Sequence, residues 1–122
     1  MGVIQINIAL DLDGTIDSYP RVFQTLMSSL TAGGNHCYII TGIEEDTVTK
    51  ADVAAKKEYL TSLGIGMECY YALIVVPQPH ADNKVAAIKA NDIDMLFDNS
   101  KENIKAALPY CVAAMIWNSK TD

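Results

Sequence analysis

Arginine is almost missing from this chain: among 122 residues only Arg21 carries a guanidinium, and 15 acidic side chains face 9 basic ones, for a formal net charge of −6. Nucleic-acid binding through a broad basic surface is therefore excluded, because phosphate contacts along a backbone need many Lys and Arg. A phosphorylated small molecule, or one phosphate on a larger partner, is not excluded by that balance. Cysteine is scarce as well. Cys37, Cys69 and Cys111 are widely spaced and form neither a CxxC pair nor a Cys/His metal pattern. Each falls in or beside an apolar run, which predicts buried free thiols in a reducing compartment. No apolar run approaches the ~20 residues that cross a bilayer, and the first residues lack the basic start and apolar core of a signal peptide. The expectation is a cytoplasmic protein with no membrane partner, folded as one domain over residues 1–122.

What is present is an alternation of short β-like runs and helical periodicity, without repeats or low-complexity tracts. Val3 to Leu10 predicts a first strand that runs into the acidic turn Asp11-Leu12-Asp13-Gly14-Thr15. Pro20 suits a first helical position, and Val22, Phe23, Leu26, Met27 and Leu30 recur at helical spacing until Gly33-Gly34. Cys37–Ile40 predicts a second strand closing on Thr41-Gly42, and a helix follows from Thr49 to Leu63. Tyr70–Val76 is a third strand, cut off by Pro77 and Pro79. A helix over Asn83–Ala90, a strand at Met95–Phe97 ending in Asp98-Asn99, a helix over Lys101–Leu108 and a strand over Cys111–Trp117 complete the pattern. Strands alternating with helices in this way predict a three-layer, doubly wound, Rossmann-like α/β fold around a five-stranded parallel sheet.

The chemistry-bearing residues fall at the carboxyl ends of those strands, where open parallel sheets bind ligands. Asp11 and Asp13 follow the first strand, Thr41 the second and Asp98 the fourth, and Lys84 opens the helix leading to the fourth. These groups converge only if strand one is central with two and four beside it, which predicts the order 5-4-1-2-3. Two carboxylates one residue apart can take unequal roles toward a phosphate, one as nucleophile and one as general acid and base. A phosphate dianion repels carboxylates, so cations are needed. Mg²⁺ prefers oxygen, which suits Asp11, Asp98 and the backbone carbonyl of Asp13. Lys84 adds fixed positive charge and the Thr41 hydroxyl a hydrogen bond. The plainer alternatives are a solvated, helix-capping turn at Asp11 and Asp13, an ordinary strand-end Thr41, and Lys89 in place of Lys84. His80 reads as an exposed loop histidine, and Glu44, Glu45 and Asp46 as an acidic helix start that suits the helix dipole.

Asp11-Leu12-Asp13-Gly14-Thr15, Ile39-Ile40-Thr41-Gly42, Lys84 and Phe97-Asp98-Asn99 stand in the order of the four motifs of the haloacid dehalogenase superfamily, which nearly the whole chain resembles. The resemblance implies a haloacid dehalogenase-like, Mg²⁺-dependent phosphatase working through an aspartyl-phosphate. It implies Asp11 as nucleophile, Asp13 as general acid/base, Thr41 and Lys84 as phosphate contacts, and Asp98 as a metal ligand beside Asp11 and Asp13. Three departures accompany it. Asn99 stands where a second acid is common, no separate cap domain is accounted for, and the stretch after Thr15 is short. An open site of this kind implies a large phosphorylated substrate or a lid borrowed from a partner, such as a second copy in a homodimer. Two other readings stay open on the residues alone. One is a non-catalytic binding module. The other is a receiver-like phospho-acceptor, although Ile74-Val75-Val76-Pro77 offers no acid where a receiver needs one.

Overall fold

The computed structural model describes residues 4–119, so Val3, where the first strand is expected to begin, lies outside the described residues. Five parallel strands form one sheet in the order β3-β2-β1-β4-β5, which is the expected order read from the other edge. They are β1 (Asn7–Leu10), β2 (His36–Gly42), β3 (Ala72–Val76), β4 (Met95–Asp98) and β5 (Val112–Met115). The helices are α1 (Pro20–Ala32), α2 (Lys50–Ser62), α3 (His80–Ala90) and α4 (Lys101–Ala107). No separate cap interrupts them: among the described residues only α1 lies between the acidic turn Leu12–Ile16 and β2. No helix among the described residues is long and apolar enough to cross a membrane.

Strand side chains alternate between the two faces, and both faces are covered. Ile8, Leu10, Cys37 and Ile39 meet Phe23 and Met27 of α1, Leu60 of α2 and Ile65 on one side. Ala9, Tyr38, Ile40 and Leu96 meet Ala87 and Ile88 of α3 and Ala107 of α4 on the other. Between their polar ends the central strands are apolar, because neither face there sees water. The three cysteines are free, with Cys37 and Cys69 buried and Cys111 half-buried. Burial pushes the Cys37 thiol above its ordinary pKa, as it does for Cys111.

Helix α2 owes its start to a capping box: the Thr49 hydroxyl accepts from Asp52 N at 3.2 Å, and the Asp52 carboxylate accepts from Thr49 N at 2.8 Å. Its apolar anchorage is thin, with Leu60 as its one buried residue. Helix α3 begins at His80, three residues before the expected Asn83. Pro79 supplies the extended N-cap, since proline ends a strand and enters a helix without sacrificing a hydrogen bond. Lys84 is therefore one turn inside α3 and does not open it.

Candidate functional site

The backbone carries the site to the carboxyl edge of the sheet. Asp11 N donates to Phe97 O at 2.9 Å, which pins the acidic turn to the end of β4. Gly14 turns the chain with φ +84°, a conformation that favours glycine, and an added Cβ there would collide with the Asn99 side chain. Asp17 holds this turn from below, accepting from Gly14 N at 2.7 Å. The side chain of Asn118 reaches the Gly14 carbonyl from beyond β5.

Lys84 is the centre of the arrangement. Its ammonium donates to Asp11 Oδ1 at 2.7 Å and to Asp98 Oδ2 at 2.9 Å, and the side chain is 4% exposed. Asp98 is completely buried and further held by Ser100 N at 2.9 Å and Asn103 Nδ2 at 3.1 Å. The other oxygen of Asp11 accepts from the Thr15 hydroxyl at 3.4 Å. Asn99, with its amide nitrogen toward the acceptors, donates to Asp11 Oδ2 at 2.9 Å and to the Asp13 carbonyl at 3.0 Å. Asn99, which stands where a second acid is common, thus acts as a hydrogen-bond donor to the acidic turn.

One lysine shared by two buried carboxylates leaves the core of the cluster short of positive charge. Burial pushes the Asp11 carboxyl from its ordinary 3.8 up to about 7; Lys84 opposes the rise, and the charges of Asp98 and Asp13 add to it. Burial lowers the pKa of Lys84, but the two facing carboxylates outweigh it and hold the ammonium above its ordinary value.

Above this cluster lies a cleft of about 240 Å³ whose lining includes Asp11, Asp13, Lys84, Asp98, Gly42 and Asn103. Its mouth adds Glu44, His80 and Glu102, which it shares with an outer hollow beside Asp46 and Gln78. Asp13 is the exposed member: its Oδ2 accepts from Lys56 Nζ at 2.9 Å and from the buried Thr41 hydroxyl at 3.4 Å. All five residues singled out from sequence, Asp11, Asp13, Thr41, Lys84 and Asp98, therefore meet at one edge. Lys89 is elsewhere, its ammonium 4.4 Å above the Tyr110 ring.

His80 corrects its expectation. It forms the cleft wall, its ring occupies the space a side chain on Gly42 would need, and Nε2 lies 2.6 Å from Ile43 O. A carbonyl oxygen only accepts, so Nε2 carries the proton. Lys56 and Asn103 are site residues that sequence reasoning missed, and Thr15, read only as part of the acidic turn, supports Asp11 through its hydroxyl. Lys56 is 43 positions from its partner and carries no local signal, whereas Ser100, capping α4 through Asn103 N, was readable as a helix start. Among the described residues no three His, Cys, Asp or Glu side chains converge as a metal cage.

No protein-family model matches the chain, and no curated protein matches it. Solved structures do share its fold. An uncharacterized protein from Corynebacterium glutamicum superposes with a TM-score of 0.63 at 19% identity, over 92% of this chain and 85% of that one. A universal stress protein from Archaeoglobus fulgidus gives 0.59 at 16% identity, over 92% of this chain and 93% of that one. A universal stress protein in complex with cAMP gives 0.57 at 12% identity, over 91% of this chain and 95% of that one. At such identities the likeness is one of fold. These findings overturn the expected membership in the haloacid dehalogenase superfamily, and with it the expected hydrolase, a Mg²⁺-dependent phosphatase with an aspartyl-phosphate intermediate. The physical reason lies in the topology. A doubly wound sheet gathers whatever polar residues end its central strands, so short motifs there report the architecture that several families share.

Proposed function

We propose that the cleft binds a phosphorylated small molecule of the nucleoside monophosphate class, together with a divalent cation of the Mg²⁺ type. The observation that carries this reading is Lys84, a buried ammonium between two buried carboxylates at the floor of an open cleft. The cleft sits beside central β1, where successive connections leave in opposite directions toward β2 and β4, the usual ligand position in such sheets. A structural neighbour in complex with cAMP supports the ligand class.

The cation follows from charge. Asp11, Asp13, Asp98, Glu44 and Glu102 line the cleft against Lys84, and a phosphate entering alone would be repelled. The donors fit Mg²⁺ chemically, since they are hard oxygens: the carboxylates of Asp11 and Asp98 and the carbonyl of Asp13. With two carboxylates and no third acid converging as a cage, the remaining positions would fall to water and to the ligand's phosphate, as is usual for Mg²⁺. Bound there, the cation would supply charge neutralisation for the phosphate.

Isothermal titration of the protein with AMP, cAMP and inorganic phosphate, with and without millimolar MgCl₂, tests the reading. Binding that requires Mg²⁺ and disappears in Asp98→Asn is the expected result. Absence of binding to every one of these ligands in the presence of Mg²⁺ would refute it.

A further inference from the structure

A second ammonium contacts the exposed member of the cleft lining, Asp13. Lys56 projects from α2 to Asp13, and its side chain is 17% exposed while that of Asp13 is 55% exposed. The pair is thus sheltered on the lysine side and open to water on the aspartate side, where the ligand would arrive. Lys84 is differently placed, with both carboxylate partners buried and close.

We propose that Lys56 is a phosphate-binding residue, which exchanges the Asp13 carboxylate for the ligand's phosphate when the cleft fills. The inference rests on the reading of the cleft as a site for phosphorylated ligands. Three features make the exchange favourable. An ion pair exposed on one side is weak in water, so little is lost on leaving it. A phosphate offers an ammonium up to two negative charges and three acceptor oxygens, where a carboxylate offers one charge and two. Asp13 is not stranded afterwards, because the Thr41 hydroxyl already points at the same oxygen from 3.4 Å.

Helix α2 keeps its place during the exchange through a separate tie. Tyr59, three residues on and on the same face, donates to Asp17 Oδ2 at 2.8 Å, and the other oxygen of Asp17 holds Gly14 N. Lys56 therefore swings from a fixed support, and the turn that carries Asp13 is held independently of it.

The test compares wild type, Lys56→Gln and Lys56→Arg. Inorganic phosphate and AMP are titrated into each Mg²⁺-loaded protein by calorimetry, and the Lys56 side-chain ammonium is followed by nitrogen NMR in the wild type. Lys56→Gln is expected to weaken both ligands roughly ten- to a hundredfold, the worth of one charge-assisted hydrogen bond. Lys56→Arg keeps most of the affinity, and the Lys56 resonance moves on adding phosphate. Equal affinity in wild type and Lys56→Gln overturns the role of Lys56 and leaves the cleft reading standing. Weaker binding with an unmoved Lys56 resonance also overturns it, since the charge would then act only at a distance. Failure of the wild type to bind either ligand removes the cleft reading and this inference together.

Discussion

Replacing Lys84 with methionine keeps an unbranched apolar side chain one atom shorter and removes the charge. The change leaves Asp11, 5% exposed, and Asp98, fully buried, without the ammonium that lies 2.7 and 2.9 Å from them. Removing one partner from a buried ion pair costs about 3–5 kcal/mol, because the remaining charge is left uncompensated in a low dielectric. That is a large part of the ~5–15 kcal/mol that holds a typical domain together. For a chain of 122 residues, an unfolding entropy of about 2.1 cal/mol/K per residue makes each kcal/mol worth roughly 4 °C, so the melting temperature should fall by roughly 12–20 °C. Thermal and urea melts followed by far-ultraviolet circular dichroism measure this directly. Adding Asp98→Asn to Lys84→Met removes the carboxylate stranded at Asp98 and should recover part of the loss, a coupling expected of residues in contact. It also gives a folded comparison if the single variant does not fold. A Lys84→Met protein within about 0.5 kcal/mol of wild type, the range of an ordinary surface substitution, would refute the account of the cluster.

Two further outcomes follow from local geometry. Thr49→Ala removes the hydroxyl half of the capping box at the start of α2 and should cost about 1 kcal/mol in urea unfolding. The hydrogen bond to Asp17, with burial and the Asp17 charge adding to it, pushes the Tyr59 phenol from its ordinary 10.0 up to about 12. Its pKa is raised in the folded state, so the stability it contributes is present below pH 10 and is lost as pH rises through about 12. An ultraviolet titration should show a late-ionising tyrosine that vanishes in Tyr59→Phe; an unchanged titration would contradict the bond.

Much of the architecture was legible because a buried parallel strand must be apolar on both faces. Ile8–Leu10 and Cys37–Ile40 announce themselves for that reason, and the four polar residues at strand ends, Asp11, Asp13, Thr41 and Asp98, fixed which strand is central. The boundaries were less legible. β3 begins at Ala72, two residues after the expected Tyr70, and α3 starts directly after Pro79, a choice set by local chain geometry. The inner cluster of the site was readable, since Asp11, Asp98 and Lys84 follow from topology. Its supporting ring was not. Lys56 meets Asp13, and Asn103 meets Asp98, only through how helices lie on the sheet. The family was misread because a doubly wound sheet brings the polar residues that end its central strands to one edge, so their order along the chain reports the fold.

The central claim, that a phosphorylated ligand with a divalent cation occupies the cleft over Lys84, is tested most directly by locating the bound ligand in solution. Backbone amide resonances of the isotopically labelled protein would be mapped while AMP is added with MgCl₂. The account predicts shifts at Asp13, Gly42, Ser100 and Asn103, which line the cleft, and none without the cation. Shifts confined to the opposite edge, around Ile93 and Asp94, or independent of Mg²⁺, would contradict it.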